Sequence, residues 1–466
     1  MSRPPNILVL IPHDLGDFLG CYGHGAVPSP NLDRLADEGV RFTNCFTVCP
    51  ECTCSRGGLM TGYQPHQNGL VGLANFGWSL KQPHLAARLA QQGYRTHLFG
   101  FQHETNGDPR TLGYDEIHSQ DSKDVRNVCA ALSGFLRSHA SGGDAPWFGY
   151  AGFTQVHRDW EPRTEFSPAD VAVPAFLPDT ELIRRDLAHF YQDIRVLDQA
   201  IGSALDALRR TGRDRNTLVI FTTDHGAAFP GAKATFYDPG IRVPLITRLP
   251  GRFDGGRVQD ELLSNMDVTP TLLALAGAQA PADMPGRSFL PLLRREGYTE
   301  REYVAGAMFF DVAYDPAHYI RTRTHKYIRS FAVDPQDKAG ARGEALSTFT
   351  AGRWARLDDL DVLTSPSWQH WPLPVTGPEA EELYDLQADP VERRNLAATP
   401  AAAAELREMR GHLCEMMTQT GSPLLHGHPQ PNERQLQASR SHGVGGKRFR
   451  ELVAKREELL KCSKPE

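Results

Sequence analysis

A chain of 466 residues is longer than one hydrophobic core usually supports, so a large domain with a smaller companion is expected. Forty per cent apolar and 23% charged residues describe an ordinary globular composition, and a formal charge of −6 excludes the concentrated basic surface that nucleic-acid binding needs. The first apolar run, Ile7 to Ile11, is too short for a secretory signal or for a membrane helix of about 20 apolar residues, so the expectation is a cytoplasmic chain with no membrane partner.

In chain order, Asn6 to Ile11 reads as a buried strand that breaks into His13-Asp14-Leu15-Gly16. Open α/β sheets put their ligands at such C-terminal strand ends. Pro30 opens a short helix capped by Ser29 or Asn31, and a second helix begins near Ser55. His84 to Gln92 reads as a helix and Tyr94 to Gly100 as a strand. Trp147 to Phe153 is a further apolar strand, ending in Gln155-Val156-His157-Arg158. From Thr180 to Arg210, Ile183, Leu187, Phe190, Ile194, Leu197, Ile201, Leu205 and Leu208 recur at helical spacing and mark a core-facing stripe. Asn216 to Thr222 is a strand that breaks into Thr223-Asp224-His225-Gly226, and Val243 to Ile246 and a helix after Asp267 continue the alternation. Strands alternating with amphipathic helices specify a large doubly wound α/β domain, its sheet sandwiched by helices, expected over residues 1–330.

After about Gly286 the character changes. Tyr319 to Thr322 and Lys326 to Arg329 alternate like half-exposed strands, Pro335 to Gly343 reads as a loop, Glu382 to Leu386 as a strand and Ala401 to Thr418 as a helix. A smaller α+β domain with a short antiparallel sheet is expected over 331–425, followed by an arm or tail over 426–466. The tail is rich in Gly, Gln, Arg and His as far as Gly446 and reads as mobile; Phe449 to Leu460 could add a charged helix, making the tail a candidate contact for a homo-oligomer.

Four of the eight cysteines, Cys45, Cys49, Cys52 and Cys54, fall within ten residues. A structural zinc site would require a second, separated ligand pair, and Arg56-Gly57-Gly58-Leu59 follows the cluster instead. A cysteine at a helix start could also be a thiol nucleophile or an inert buried side chain. Asp14, Asp224 and His225, at the ends of two strands, suit a divalent cation, with His13 as a further candidate. An imidazole among the ligands weakens the pure calcium case and admits manganese or zinc.

The run Cys52-Thr53-Cys54-Ser55-Arg56 followed by Leu59-Met60-Thr61-Gly62 resembles the signature of type I sulfatases, Cys-x-Pro-Ser-Arg and Leu-x-Thr-Gly, in the alkaline phosphatase superfamily. Cys54 stands where that signature has proline. Gly100-Phe101-Gln102-His103 resembles the family's Gly-Lys-Trp-His, with Phe101 in the lysine's place. Pro230-Gly231-Ala232-Lys233 and Tyr237 to Pro244 resemble its lysine loop, and the likeness runs on to Leu383-Tyr384-Asp385-Leu386. His66-Gln67-Asn68-Gly69, Asp170 to Pro174, Leu177 to Thr180 and Phe229-Pro230 resemble most the heparan N-sulfatase (sulfamidase) branch.

The resemblance implies a hydrolase that cleaves sulfate from a carbohydrate O-sulfate or N-sulfate, or another sulfated small molecule or glycan. Cys52 would be oxidised to formylglycine by a formylglycine-generating enzyme, and one divalent cation, calcium first, would be held by Asp14, Asp224, His225, the modified Cys52 and His13. Arg56 would orient the aldehyde hydrate, Lys233 would stabilise sulfate oxygens, His157 would protonate the leaving group and His103 would act as base. Arg158 and Trp160 are candidates for substrate contact, and Trp78, Trp354, Trp368 and Trp371 for stacking on a sugar. Two readings compete: a phosphonate monoester or phosphodiester hydrolase of the same superfamily, and a non-catalytic sulfatase-like binding protein with unmodified Cys52.

Overall fold

The computed structural model describes residues 4–119, 124–138, 145–310, 314–331, 381–427 and 429–442. The expected loop at Pro335 to Gly343, the tryptophans Trp354, Trp368 and Trp371 and the helix at Phe449 to Leu460 lie outside the described residues.

Strands β1 (Asn6–Ile11), β6 (Trp147–Gly152) and β7 (Thr217–Thr222) are mainly apolar runs buried on both faces, and β4 (Arg95–Gly100), which opens on Arg-Thr-His, is buried from Thr96 onward. They form the centre of an eight-stranded sheet with β2 (Val40–Phe42), β5 (Glu116–His118), β8 (Leu245–Arg248) and β9 (Arg257–Gln259), in the order β5-β4-β6-β1-β7-β8-β2-β9. From β5 to β7 all neighbours are parallel, whereas β8 runs antiparallel to both β7 and β2. The sheet is thus mixed, sandwiched by helices as the alternation of elements predicts.

Strand periodicity fixes the two cores. On β1, Leu8 and Leu10 face the core built with the long helix Glu181–Arg210 and the helix Val125–Ser138. Ile7, Val9 and Ile11 face the opposite core, shared with Leu59 and Met60 of the helix Cys52–Thr61. The short helix Pro30–Asp37 is capped from outside its own sequence: Asp198 accepts from the Asn31 and Leu32 backbone N–H groups at 3.0 and 2.9 Å. Ser29, expected as the cap, accepts instead from the Gly20 N–H.

Strands β3 (Cys45–Phe46) and β10 (Leu263–Ser264) form a two-stranded ladder between this sheet and a four-stranded antiparallel sheet. The latter runs in sequence order through β11 (Val304–Phe310), β12 (Tyr314–Arg321), β13 (His325–Ser330) and β14 (Glu381–Asp385). Three of its strands therefore precede residue 331 and one follows it. Strand β12 is buried along its whole length, which corrects the expectation of a half-exposed strand. Ala317 and Tyr319 pack towards Phe46, Val48 and Cys54, while Ile320 packs under Met409 and Leu413 of the helix Ala403–Thr420. With both faces covered, the alternation in the sequence carries polar groups that are paired inside. His318, for example, contacts Gly306 O and Ser422 Oγ at 3.1 and 2.9 Å.

Part of the stretch read as a mobile tail is a helix, Glu433–His442. It docks through Leu436, beside Phe310 and Trp78, and through Gln435, whose Oε1 accepts from the Trp78 indole at 2.9 Å. No helix among the described residues is long and apolar enough to cross a membrane.

Candidate active site

The C-terminal ends of β4, β6, β1 and β7 lie side by side, and each delivers a polar cluster to one place. The fifth contributor is the N-terminus of the helix Cys52–Thr61. Its Gly57-Gly58 pair lets it come close: a Cβ on Gly58 would lie 2.4 Å from Val48 Cγ2. Residues four apart share a helix face, so Cys52 and Arg56 point the same way. Cys54, about 200° round from Cys52, packs into the core with Cys49 and Met266. The side chain in the proline slot is therefore in an apolar core and not among the donor atoms around Cys52.

Around the Cys52 thiol, His13, Asp14, Asp224 and His225 bring one ligand atom each, all five within 4.8 Å of one another and all buried. The thiol lies 3.2 Å from His225 Nε2 and 3.7 Å from His13 Nδ1. His13 Nδ1 is 2.6 Å from Asp14 Oδ1 and 3.3 Å from Asp224 Oδ2. Asp14 holds a left-handed backbone (φ 53°), a conformation aspartate tolerates, and its N–H donates to Asp224 Oδ1 at 3.0 Å. Gly226 closes the β7 turn against the Asp238–Ile241 helix, where a Cβ would lie 2.0 Å from Pro239 O.

Two cations complete the cluster. Lys233 Nζ lies 2.9 Å from Asp14 Oδ2, and Arg56 Nε donates to Asp224 Oδ2 at 3.0 Å. Arg56 also donates to Tyr150 OH at 2.7 Å and to Pro12 O at 3.1 Å, and its guanidinium lies over the Phe101 ring. Burial alone would push both aspartate carboxyls up. For Asp14, Lys233 and the imidazoles more than offset it, and for Asp224, His13, His225 and Arg56 do so; both are held well below the ordinary carboxylate range. Burial lowers His13 to about 4 against the pull of Asp224 and Asp14. The Cys52 thiol is pushed well up, by burial first and, against Lys233, by Asp14 and Asp224. That direction is opposite to what a thiolate nucleophile requires. Ionised carboxylates and imidazoles converging within one ligand sphere fit a divalent cation.

His103 and His157 flank this cluster. The His157 ring stands edge-on to His13 with centroids 4.7 Å apart, and the His103 ring is 5.9 Å from His13. Burial, with His13 and Arg56, lowers His103 to about 3. Its buried Nδ1 has no hydrogen-bond partner among the described residues. Arg158 and Trp160 are brought together elsewhere. The Arg158 guanidinium forks onto Asp186 at 2.9 and 2.7 Å and stacks 3.6 Å from the Trp160 ring centroid. Trp160 in turn packs against Phe190 and Phe229 and donates its indole N–H to Val156 O. Trp78 is engaged by Phe310 and Gln435.

Sequence reasoning missed the residues that hold the chemistry in place. Tyr150, the partner of Arg56, was visible only as a hydroxyl inside an otherwise apolar strand, and such a group requires a partner when buried. Glu104 accepts from the His103 N–H at 2.7 Å. Ser55 Oγ donates to Asp224 O at 2.6 Å, and Asn265 Nδ2 donates to Ser55 and Thr47, pinning the start of the Cys52 helix.

A parallel-centred sheet with a cysteine, paired carboxylates, imidazoles and cations at its strand ends defines a hydrolase of the alkaline-phosphatase-like fold. Residues 5–278 match the sulfatase family model, so the chain belongs to the sulfatase family and is a sulfuric ester hydrolase. Residues 230–336 match the model described as N-sulphoglucosamine sulphohydrolase, C-terminal. The chain is 29% identical to the N-sulphoglucosamine sulphohydrolase of Homo sapiens, over 91% of each chain. Its fold is similar to that of a 2-O GAG sulfatase, with a TM-score of 0.68, 22% identity and coverage of 93% and 96% of the two chains. It is also similar to the phosphonate monoester hydrolase of Agrobacterium radiobacter, with a TM-score of 0.68, 21% identity and coverage of 89% and 96%.

Proposed function

We propose that the protein removes sulfate from a carbohydrate O-sulfate or N-sulfate, using formylglycine made from Cys52 by a formylglycine-generating enzyme. The observation that carries this reading is the position of Cys52: at a helix start, with its sulfur 3.2 Å from His225 Nε2 and inside a sphere of carboxylate and imidazole donors. A hydrated aldehyde there supplies the nucleophile and a route to release sulfate that a plain alcohol lacks. Asp14, Asp224, His225 and His13 would hold a divalent cation, calcium first with manganese or zinc as alternatives, which draws charge from sulfur and makes the nucleophile more acidic.

The chain's own residues do the rest. Arg56, locked by Asp224, Tyr150 and Pro12, fixes the helix start and helps keep the Asp224 carboxylate ionised. Lys233, beside Asp14, faces the anionic group and offsets its charge. His157 donates a proton to the departing oxygen or nitrogen, and His103, with its unpaired buried nitrogen, accepts one from the residue-52 hydroxyl. Phe101 in the lysine's place leaves Lys233 as the lysine at the site among the described residues and adds a ring between Arg56 and His103.

Peptide mass spectrometry at residue 52 tests the reading: an aldehyde in place of the thiol is expected, and a free thiol in a host that has the modifying enzyme overturns it in favour of a binding protein. The phosphonate monoester reading draws on the fold similarity and on the imidazole of His225 among the donors. Comparing kcat/KM on paired aryl sulfate and aryl phosphonate esters separates the two, a large phosphonate preference favouring the second reading.

A further inference from the structure

A second group of ligand atoms lies at the edge of the large sheet. We propose that His97, Glu116 and His118 form a zinc site that staples the edge strand β5 to β4. Register and pleat bring the three together. His97 on β4 pairs with Glu116 on β5, and His118 follows Glu116 by two residues, so all three side chains leave the same face of the sheet.

Their spacing is that of ligands around a cation. His97 Nδ1 and His118 Nε2 are 3.3 Å apart, and Glu116 Oε2 lies 3.8 Å from the first and 3.6 Å from the second. A tetrahedral zinc with donors at about 2.0–2.1 Å spaces them roughly 3.3–3.4 Å apart. The two carboxylate distances are longer than a hydrogen bond, and the imidazole pair makes a long hydrogen bond at 3.3 Å that a shared cation would replace. Three donors of the types zinc takes thus lie close to the spacing of its ligands, the imidazole pair at it and Glu116 Oε2 slightly outside it, at 3.8 and 3.6 Å.

The rings are fixed before any ion arrives. His118 stacks on Phe99 with centroids 4.5 Å apart and 10° between planes, and His97 packs on Phe135 of the helix Val125–Ser138 at 4.5 Å. Preset imidazoles lower the ordering cost of binding. The site is also reachable: the His97 side chain is 3% exposed, His118 26% and Glu116 59%, so an ion enters from the Glu116 side and keeps a water as fourth ligand. A strand of three residues at a sheet edge has few ladder bonds of its own, and a cross-strand metal would hold it.

The test uses the full chain, stripped with chelator and returned to excess calcium so that the catalytic cluster is occupied by the harder ion. Zinc is then added alone, and retained zinc is counted by elemental mass spectrometry after desalting. The wild type is expected to retain one equivalent that Glu116→Gln and His118→Gln both lose, with hydrolysis in calcium unchanged in either variant. Cobalt in place of zinc should give the visible bands of a tetrahedral site in the wild type and lose them in Glu116→Gln. Equal zinc retention in wild type and both variants, or loss of zinc only in Asp14→Asn, overturns the proposal. If His118→Gln fails to fold, the exposed Glu116→Gln decides alone.

Discussion

Arg56 and Asp224 face each other at 3.0 Å with both side chains wholly buried. The remaining guanidinium nitrogens are taken by Tyr150 and Pro12, so Arg56 reaches no solvent and holds the Asp224 carboxylate from behind. We propose that it acts as a positioning residue. Replacing Arg56 with Met leaves a buried carboxylate without its cation, a loss worth about 3–5 kcal/mol in other proteins. A matching fall in the urea midpoint is expected, together with lost activity. Tyr150→Phe removes one charged hydrogen bond and should cost about 1.5–3 kcal/mol. Lost activity with an unchanged midpoint in Arg56→Met would instead make Arg56 a direct substrate contact.

The same carboxylates predict a metal response. Asp14 and Asp224 are ionised, buried and within a ligand's reach of His13 and His225. Calcium added to chelator-treated protein should raise the melting temperature, by about 2.7 kcal/mol of stability at a hundredfold excess over Kd. Asp224→Asn should remove the response whatever it does to baseline stability. Calorimetry with and without calcium reads it, and a full response retained in Asp224→Asn would move the site elsewhere.

The site's parts were legible because each follows an apolar run: β1 breaks at His13-Asp14 and β7 at Asp224-His225, and burial of the run fixes where the break lies. The strands β2, β5 and β9 were not legible, since three residues show no period and pair only because neighbours present an edge. Partner choice was hidden as well. Arg158 carries a charge in the sequence, but that Asp186 claims it depends on the long helix passing beneath the β6 loop. Tyr319 to Thr322 reads as half exposed because Arg321 and Thr322 are polar, and only the packed fold supplies Asp238 as the buried partner of Arg321.

Asp198 gives a prediction about the fold alone. One carboxylate on the long helix accepts from the Asn31 N–H, the Leu32 N–H and Asn31 Nδ2 at 3.0, 2.9 and 2.8 Å, so it replaces the local cap that Ser29 does not supply. Asp198→Ala should cost about 2 kcal/mol, the upper range for a lost cap. Hydrogen exchange should rise over the helix Pro30–Asp37 and stay unchanged over β7. Uniform loss of protection across the chain would argue that Asp198 supports the whole core instead.

Asp193 should make stability fall with rising pH. Burial raises its carboxyl to about 7, against the Glu161 N–H that it accepts at 3.0 Å. In the unfolded chain an aspartate ionises near pH 4. Between about 4 and 7 the unfolded state has therefore released a proton that the folded state keeps. The group's contribution to stability is then full below pH 4 and lost as pH rises through about 7. The side-chain amide of an Asp193→Asn variant keeps the acceptor oxygen for Glu161 and has no proton to lose. The melting temperature of Asp193→Asn relative to wild type should thus climb from pH 4 to pH 8, by about 4 °C, since about 4 kcal/mol over that range meets roughly 1 kcal/mol per degree for a chain of this size. A flat difference across that range would place the Asp193 carboxyl in the ordinary range.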